Sequence, residues 1–238
     1  EAETVLMPMA DGGEGTVEAL APFIKGEYVD CKVSDPLGRT VEARYLLSQN
    51  KHMAVIETAS AAGLTLLDDC ERNPWITTTY GLGEMIKDAL DKGCSTICVG
   101  LGGSATNDGG SGMLSALGCR FLDSDGNELE GKGMNLHKIE SIDVDSLDKR
   151  LITTRFVVAC DVDNPFYGEN GAAAVFAPQK GAAPEIVAAL DSGMRHFACV
   201  VNNATGNDIS MLRGSGAAGG LGGAFASLFN SELVPGID

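Results

Sequence analysis

The sequence predicts an α/β protein with a mixed, mostly parallel sheet that carries helices on its faces. Apolar strand-like segments alternate with segments of helical periodicity, which is the pattern of a largely parallel sheet. One pair of segments with period two flanks a turn sequence and predicts an antiparallel hairpin. Each glycine cluster follows a predicted strand or opens a predicted helix, where the binding loops of α/β folds lie.

The predicted strands are short and either apolar throughout or alternating: Thr4–Met9, Glu27–Val33, Thr40–Leu47, Met53–Glu57, Ser95–Gly100 and Thr154–Val162. Asp35, Pro36 and Gly38 suit the first, second and fourth positions of a type I turn and predict the hairpin. The predicted helices carry one apolar stripe or begin at a typical start residue: Val17–Ile24, Tyr80–Lys92, Met113–Leu117, Pro184–Ala204 and the end of Gly214–Phe229.

Composition narrows the class of partner. The chain has 238 residues and a net charge of −16, which argues against nucleic acid and anionic membranes as partners. Seven cysteines without a Cys-x-x-Cys motif, mostly in apolar runs, predict reduced thiols and a cytoplasmic location. No apolar run reaches the length of a membrane span. A homo-oligomer is compatible with these features.

The loop Gly100–Gly110 is the first candidate site, because it lies between a predicted strand and a predicted helix. Backbone amides in such a loop converge on an anion, so we expect Gly102 and Gly103 to bind a carboxylate or phosphate. Side-chain donors add to this set: Ser104, Thr106 and Asn107. Asp108 is the only charged residue of the loop and suits a base facing a hydroxyl, or a Mg²⁺ ligand. The alternative is a tight strand-to-helix turn capped by Asp108.

A second loop contains two carboxylates around two glycines. Asp11 and Glu14 flank Gly12 and Gly13, and this set suits a cation or a hydroxyl-rich ligand. The alternative is a capping box, with Asp11 at the N-cap and Glu14 three residues later.

Two further segments carry charge at predicted strand ends or in loops. Asp161 follows a buried strand directly, a position from which kinases often hold Mg²⁺, although an Asx-turn is the alternative. Lys180 follows a proline and precedes a glycine, so it predicts a phosphate contact, or else a solvated loop lysine. Thr78, in a run of three threonines, predicts a donor to an anionic ligand, with helix capping as the alternative for at least one of them.

Several long motifs occur in a fixed order, and together they resemble bacterial-type glycerate kinases. The motifs are MADGGEGTVEAL, ETASAAGL, TTTYGLGE, GLGGSATNDGGSGMLSALG, ACDVDNPFYGENGAAAVFAPQKGA and GSGAAGGLGGA. They cover almost the whole chain. The resemblance implies ATP- and Mg²⁺-dependent phosphorylation of D-glycerate, to 2-phosphoglycerate or 3-phosphoglycerate, with the 2-position favoured.

The resemblance also implies two domains, one flavodoxin-like and built from both chain ends, and one inserted between them. This sequence lacks the family's opening Pro-Asp-Ser-Phe/Tyr-Lys segment and its late Gly-Glu-Gly-Arg segment. We therefore expect residues 1–17 to be a stub of the flavodoxin-like domain and residues 18–238 to be the inserted domain. We do not expect full kinase activity from these 238 residues alone.

These observations lead to one main hypothesis, a kinase of a small hydroxy acid. In it Asp108, Lys180 and Asp161 are catalytic, and Asp161 holds Mg²⁺ with Asp11 or Glu14. Backbone and hydroxyl donors bind substrate or phosphate: Gly12, Gly13, Thr78, Gly102, Gly103, Ser104, Thr106 and Asn107. The main alternative is a module that binds glycerate or nucleotide without turnover. A transcriptional regulator is disfavoured by the acidic charge.

Overall fold

The computed structural model describes residues 12–235, which form an α/β fold around a six-stranded mixed sheet. The strands of this sheet are β1 (Gly26–Ser34), β2 (Thr40–Ser48), β3 (Met53–Glu57), β4 (Thr96–Gly100), β8 (Arg155–Ala159) and β9 (Asn230–Val234). Their order in the sheet is β1-β2-β3-β4-β8-β9. The three pairs from β3 to β9 are parallel and the two pairs from β1 to β3 are antiparallel. The predicted fold class is confirmed.

The five predicted helices form in the predicted order, with shifts at their ends, and two short helices, Ala59–Ala62 and Ala172–Phe176, are not predicted by the sequence. The helices are α1 (Thr16–Leu20), α2 (Ala59–Ala62), α3 (Tyr80–Asp91), α4 (Ser111–Ala116), α5 (Ala172–Phe176), α6 (Pro184–Thr205) and α7 (Ala217–Leu228). α3 ends before Gly93, whose φ of +93° suits the residue that closes a helix. α6 starts at Pro184, as its sequence predicts. Within residues 12–235, no helix is both long enough and apolar enough to span a membrane.

The predicted hairpin of β1 and β2 forms, with Gly26 opposite Ser48 and Ser34 opposite Thr40. Its turn is closed by a hydrogen bond from the Gly38 amide to the Asp35 carbonyl. The buried Asp35 carboxylate also accepts from the amides of Leu37 and Arg39. Aspartate at the first turn position therefore stabilises the hairpin in the way its sequence predicts.

The sheet places alternate side chains on two faces, because successive residues of a strand point in opposite directions. Tyr45 and Ile56 face the main core, which α3, α4, α6 and α7 cover. Leu46 and Val55 face the other side, where they pack on Val17 of α1. Helices therefore lie on both faces of the sheet.

A second, smaller sheet lies between α4 and β8 along the chain. It consists of β5 (Arg120–Leu122), β6 (Glu128–Leu129) and β7 (Ser141–Asp143), in the antiparallel order β6-β5-β7. The segment CRFLDSDGNEL, residues 119–129, predicts a strand and a turn here, but the third strand is not predicted. β7 is only three residues long, and its pairing is a tertiary contact that local periodicity does not encode.

Two sequence predictions fall on residues that the structure does not describe, namely the strand Thr4–Met9 and the site residue Asp11. The division into residues 1–17 and 18–238 stays a prediction. The capping-box alternative for the loop that contains Glu14 is wrong. The helix α1 begins at Thr16 with Gly15 at its N-cap, so Glu14 precedes the helix. All seven cysteines are free thiols, as predicted.

Candidate functional site

The carboxyl ends of β4 and β8 open onto a cavity of about 220 Å³. Its walls come from four segments: Leu101–Ser104, Ala159–Val162, residues 176–180 and Ala217–Ala218, with Leu64 at one side. The strands are parallel, so the loops that follow them meet at one edge of the sheet, where ligands of open α/β folds bind. A cavity of this volume suits a small ligand or part of a larger one.

Lys180 is the one lysine that lines this cavity, and it is buried. Its Nζ donates to Ser104 Oγ (2.8 Å) and to the carbonyl oxygen of Thr106 (2.7 Å). Both acceptors are neutral, and no carboxylate of residues 12–235 forms an ion pair with it. The alternative prediction of a solvated loop lysine is wrong. A buried cation without a counter-ion is costly, so this site favours either neutral Lys180 or a bound anion.

Burial lowers the pKa of Lys180 to about 7, and the nearby Asp108 carboxylate opposes part of this shift. The ammonium form is disfavoured by lost hydration, which is the expected effect on a buried lysine. Near neutral pH the group therefore exchanges between its two protonation states. An anion in the cavity would favour the protonated state.

The glycine loop after β4 has amides of two kinds. The Gly102 amide donates to the Gly12 carbonyl (2.9 Å) and the Ala105 amide to the Ala62 carbonyl (2.8 Å), so both are used within the fold. The amides of Gly103 and Ser104 have no acceptor within residues 12–235, and both residues line the cavity. The loop therefore offers two backbone donors beside Lys180, and Gly102 is a packing residue of the wall.

Asp108 lies behind this wall and is fully buried, outside the cavity lining. Its Oδ2 accepts from Thr79 N (2.7 Å), Thr79 Oγ1 (2.8 Å) and Gly112 N (3.2 Å), and its Oδ1 accepts from Gly110 N (3.0 Å). Burial raises the pKa of this carboxyl, and its four hydrogen bonds oppose that rise. These contacts join the glycine loop to the starts of α3 and α4, and they favour a positioning role.

Three other predicted donors lie outside the cavity wall. Thr106 and Asn107 are fully buried, and Thr106 takes part through its carbonyl, which accepts from Lys180. Thr78 lines a separate cavity of about 430 Å³ beside Tyr80 and Lys132. Its Oγ1 accepts from the amide of Tyr80 (3.2 Å), the first residue of α3, while the N-cap of that helix is Thr79.

The loop before α1 approaches the same edge of the sheet. The Gly12 carbonyl binds the Gly102 amide, and the Val17 amide donates to Glu57 Oε1 (2.6 Å) at the end of β3. Gly13 is buried there. Glu14 is exposed and lines a different cavity, beside Glu18 and Glu57, so the structure does not bring it next to Asp161.

The backbones of the two glycine loops touch at Gly102, which predicts a large effect of a small substitution. A Cβ at this position would collide with the backbone of Gly13. We expect Gly102→Ala to lower the free energy of unfolding by about 2 kcal/mol, or ~6 °C in Tm. Gly126→Ala is the control, because Gly126 has open space around it and only its φ of +79° opposes a side chain. Equal shifts in thermal unfolding for the two variants would contradict this contact.

Asp161 is exposed and lines the cavity directly after β8. Within the described range 12–235, no three carboxylate, imidazole or thiol groups converge as a metal site. Mg²⁺ usually keeps several waters and is held by one or two carboxylates together with substrate phosphates. A single carboxylate beside an anion-binding wall fits that mode of binding.

Sequence reasoning missed the wall formed by Ala217 and Ala218. Their segment predicts only a glycine-rich loop that runs into a helix. The signal was present in the glycine clusters of this segment, which bring its backbone against the loop after β4. A Cβ on Gly219 would collide with the Thr106 carbonyl, and the Gly109 amide donates to the Gly219 carbonyl (2.9 Å).

The fold and this cavity define an α/β protein with a candidate anion-binding site at the carboxyl ends of parallel strands. Residues 1–238 match the sequence profile of the glycerate kinase family. The chain is 48% identical to a glycerate kinase from Haemophilus influenzae over 237 residues, covering 100% of this chain and 63% of that protein. It is 44% identical to a glycerate 2-kinase from Escherichia coli K12, covering 100% of this chain and 62% of that protein.

A solved structure, that of a glycerate kinase 2 from Salmonella typhimurium LT2, superposes with a TM-score of 0.94 at 46% identity. The match covers 97% of this chain and 62% of that one. The chain belongs to the glycerate kinase family. It spans a little over three fifths of the length of these relatives.

Proposed function

We propose that this protein takes part in the transfer of a phosphoryl group from ATP to a hydroxyl of D-glycerate. The observation that carries the proposal is buried Lys180, whose Nζ meets only neutral acceptors at the wall of the strand-end cavity. Glycerate, the phosphates of ATP and the product are all anions. Phosphoryl transfer depends mostly on positioning and on neutralising such charges.

In this proposal the substrate anion lies against Lys180 and the amides of Gly103 and Ser104. The ammonium group supplies the counter-charge, and the two amides orient the bound oxygens. Asp108 holds the loop in place by joining it to α3 and α4. It thereby fixes the distance between the amides and the lysine. The arrangement requires protonated Lys180, so ligand binding and protonation favour each other.

Asp161 is the residue that would hold Mg²⁺, together with the phosphates of ATP. The ion would neutralise the charge that develops on the transferred group. Asp161 lines the cavity on the short segment after β8, and the glycine loop follows the neighbouring strand β4. The carboxylate and the lysine therefore approach the ligand from different segments of the chain.

We infer the 2-hydroxyl as the acceptor from the relative named glycerate 2-kinase in Escherichia coli. The match between the two sequences includes all 238 residues of this chain. The relatives are longer than this chain, and we propose that their remaining length corresponds to the flavodoxin-like domain, of which residues 1–17 are a stub. The alternative is a module that binds glycerate or nucleotide without turnover.

A turnover assay of the intact protein with D-glycerate and Mg-ATP tests the proposal, with calorimetric titration of each ligand alongside. Formation of 2-phosphoglycerate supports the kinase. Binding of glycerate or Mg-ATP without phosphate transfer supports the binding module, and no binding of either ligand refutes both.

Asp161→Asn tests the proposed metal contact. We expect it to raise the Mg²⁺ concentration needed for half-maximal activity by about tenfold or more, because an amide oxygen is a weaker ligand than a carboxylate. Asp163→Asn is the matched control: its carboxylate lies two residues on and binds the exposed Arg213. Activity is measured over a series of Mg²⁺ concentrations. The same Mg²⁺ dependence in both variants would exclude Asp161 as a ligand.

A further inference from the structure

Ala218 has an unusual backbone conformation at the cavity. Its φ and ψ are 50° and 42°, in the left-handed region, and Gly219 and Gly220 continue that conformation. Within residues 12–235, Lys51 is the only other residue besides glycine with a positive φ. Residues other than Gly, Asn and Asp rarely adopt this conformation, because in an L-residue Cβ approaches the following carbonyl oxygen.

The neighbours of Ala218 show why the turn itself is left-handed. A Cβ on Gly219 would collide with the Thr106 carbonyl, which is the oxygen that Lys180 binds. A Cβ on Gly220 would lie 2.7 Å from the Gly109 Cα. The turn therefore packs its bare backbone against the loop that holds Lys180. Of its three left-handed residues, only Ala218 carries a side chain.

Ala218 is half-buried and lines the cavity with Lys180 and Ser104. A glycine would adopt this left-handed backbone conformation at a lower energetic cost than an alanine. The methyl group of Ala218 is therefore present against the conformational preference of the backbone. In a cavity of about 220 Å³, one methyl group at the wall changes the space left for a small ligand.

We propose that Ala218 is a specificity-determining residue whose methyl group restricts the cavity to a three-carbon hydroxy acid. This inference rests on the proposed function, since it assumes that the hydroxy acid binds in this cavity. A longer acid, such as 2,3,4-trihydroxybutanoate, would place its extra carbon against the methyl group. One carbon more or less in a closed pocket typically changes selectivity by about 10- to 200-fold.

The test compares calorimetric binding of D-glycerate and 2,3,4-trihydroxybutanoate to the parent protein and to two variants at this position. Ala218→Gly is expected to raise the affinity for the four-carbon acid relative to glycerate by about tenfold. Ala218→Asn keeps a residue that tolerates the left-handed region but enlarges the side chain, and is expected to weaken glycerate binding by about tenfold. Lys51→Gly and Lys51→Asn are matched controls at an exposed left-handed position, and should leave both affinities unchanged.

An unchanged affinity ratio in Ala218→Gly, or unweakened glycerate binding in Ala218→Asn, would overturn the assignment of Ala218. Thermal unfolding of all four variants checks that the fold is kept. If the parent binds glycerate without transferring phosphate, the proposed function fails, while the affinity ratio still decides the role of Ala218. A parent that binds neither acid would overturn both.

Discussion

Lys180→Met is expected to lower kcat/KM for D-glycerate by about 10³-fold, which corresponds to ~4 kcal/mol of transition-state stabilisation. The parent lysine supplies the only cationic side chain of the described cavity wall, and Met removes it with little change in volume. Loss of one partner from a buried charge pair commonly costs 2–5 kcal/mol or so. Steady-state kinetics measures the effect.

Lys92→Met is the control for this substitution, because Lys92 forms an ion pair with Asp88 that is partly exposed at the surface. It should stay within about twofold of the parent, as expected for a surface pair. Comparable losses in the two variants would show that Lys180 has no special part in binding the substrate.

The same lysine gives a pH dependence whose sign can be worked out. Its pKa is about 7 in the folded protein and 10.5 in its ordinary state, so the unfolded chain binds more protons between these values. Stability of the parent relative to Lys180→Met therefore rises with pH across this window and is level below it. From pH 7.5 to 9 the relative gain should be about 2 kcal/mol in urea unfolding. A constant difference would contradict the burial argument.

Asp108→Asn has the second largest expected effect, which is a decrease in the free energy of unfolding. The substitution replaces one carboxylate oxygen, an acceptor, by an NH₂ group, which is a donor. The backbone amides of Thr79, Gly110 and Gly112 and the Thr79 hydroxyl already donate to the Asp108 carboxylate, so donors would then face a donor. Buried donors would lose their acceptor, which we expect to cost about 3 kcal/mol in unfolding free energy, or ~6–12 °C in Tm. Thermal and urea unfolding measure it.

Asp123→Asn is the matched control, since Asp123 also accepts from amides of its own turn, but in hydrogen bonds that are exposed at the surface. It should cost less than about 1 kcal/mol. If Asp108→Asn unfolded at the parent temperature but lost more than ~10³-fold in kcat, the positioning role would be wrong. Asp108 would then be the base that its residue type suggests.

The main sheet could be predicted because its information is local. β3 and β4 are short apolar runs, and the turn at Asp35 to Gly38 uses residues whose side chains and φ angles suit it. β7 could not, since three residues acquire a strand conformation only through pairing with β5. The same limit applies to the left-handed turn at Ala218, where packing against the loop after β4 decides the backbone.

The site was predictable in its location but less so in its division of roles. Glycines after β4 and a carboxylate after β8 indicate the edge where the cavity lies. Burial is not visible in residue type, however: Lys180 and Asp108 are both buried, and of the two Lys180 alone lines the cavity. Two of the four hydrogen bonds to Asp108 come from Thr79, 29 residues away along the chain, and this contact depends on how α3 packs on α4.

Lys180 is a buried amine at the cavity wall, and we propose that the substrate anion supplies its counter-charge. Carbon-13 labelling of lysine, with Lys180→Met to assign the signal, allows its ε-carbon to be followed by NMR as pH is varied. We expect the pKa of Lys180 to be about 7 without ligand and to rise clearly when D-glycerate is added. A pKa near 10.5 in both samples would contradict this proposal.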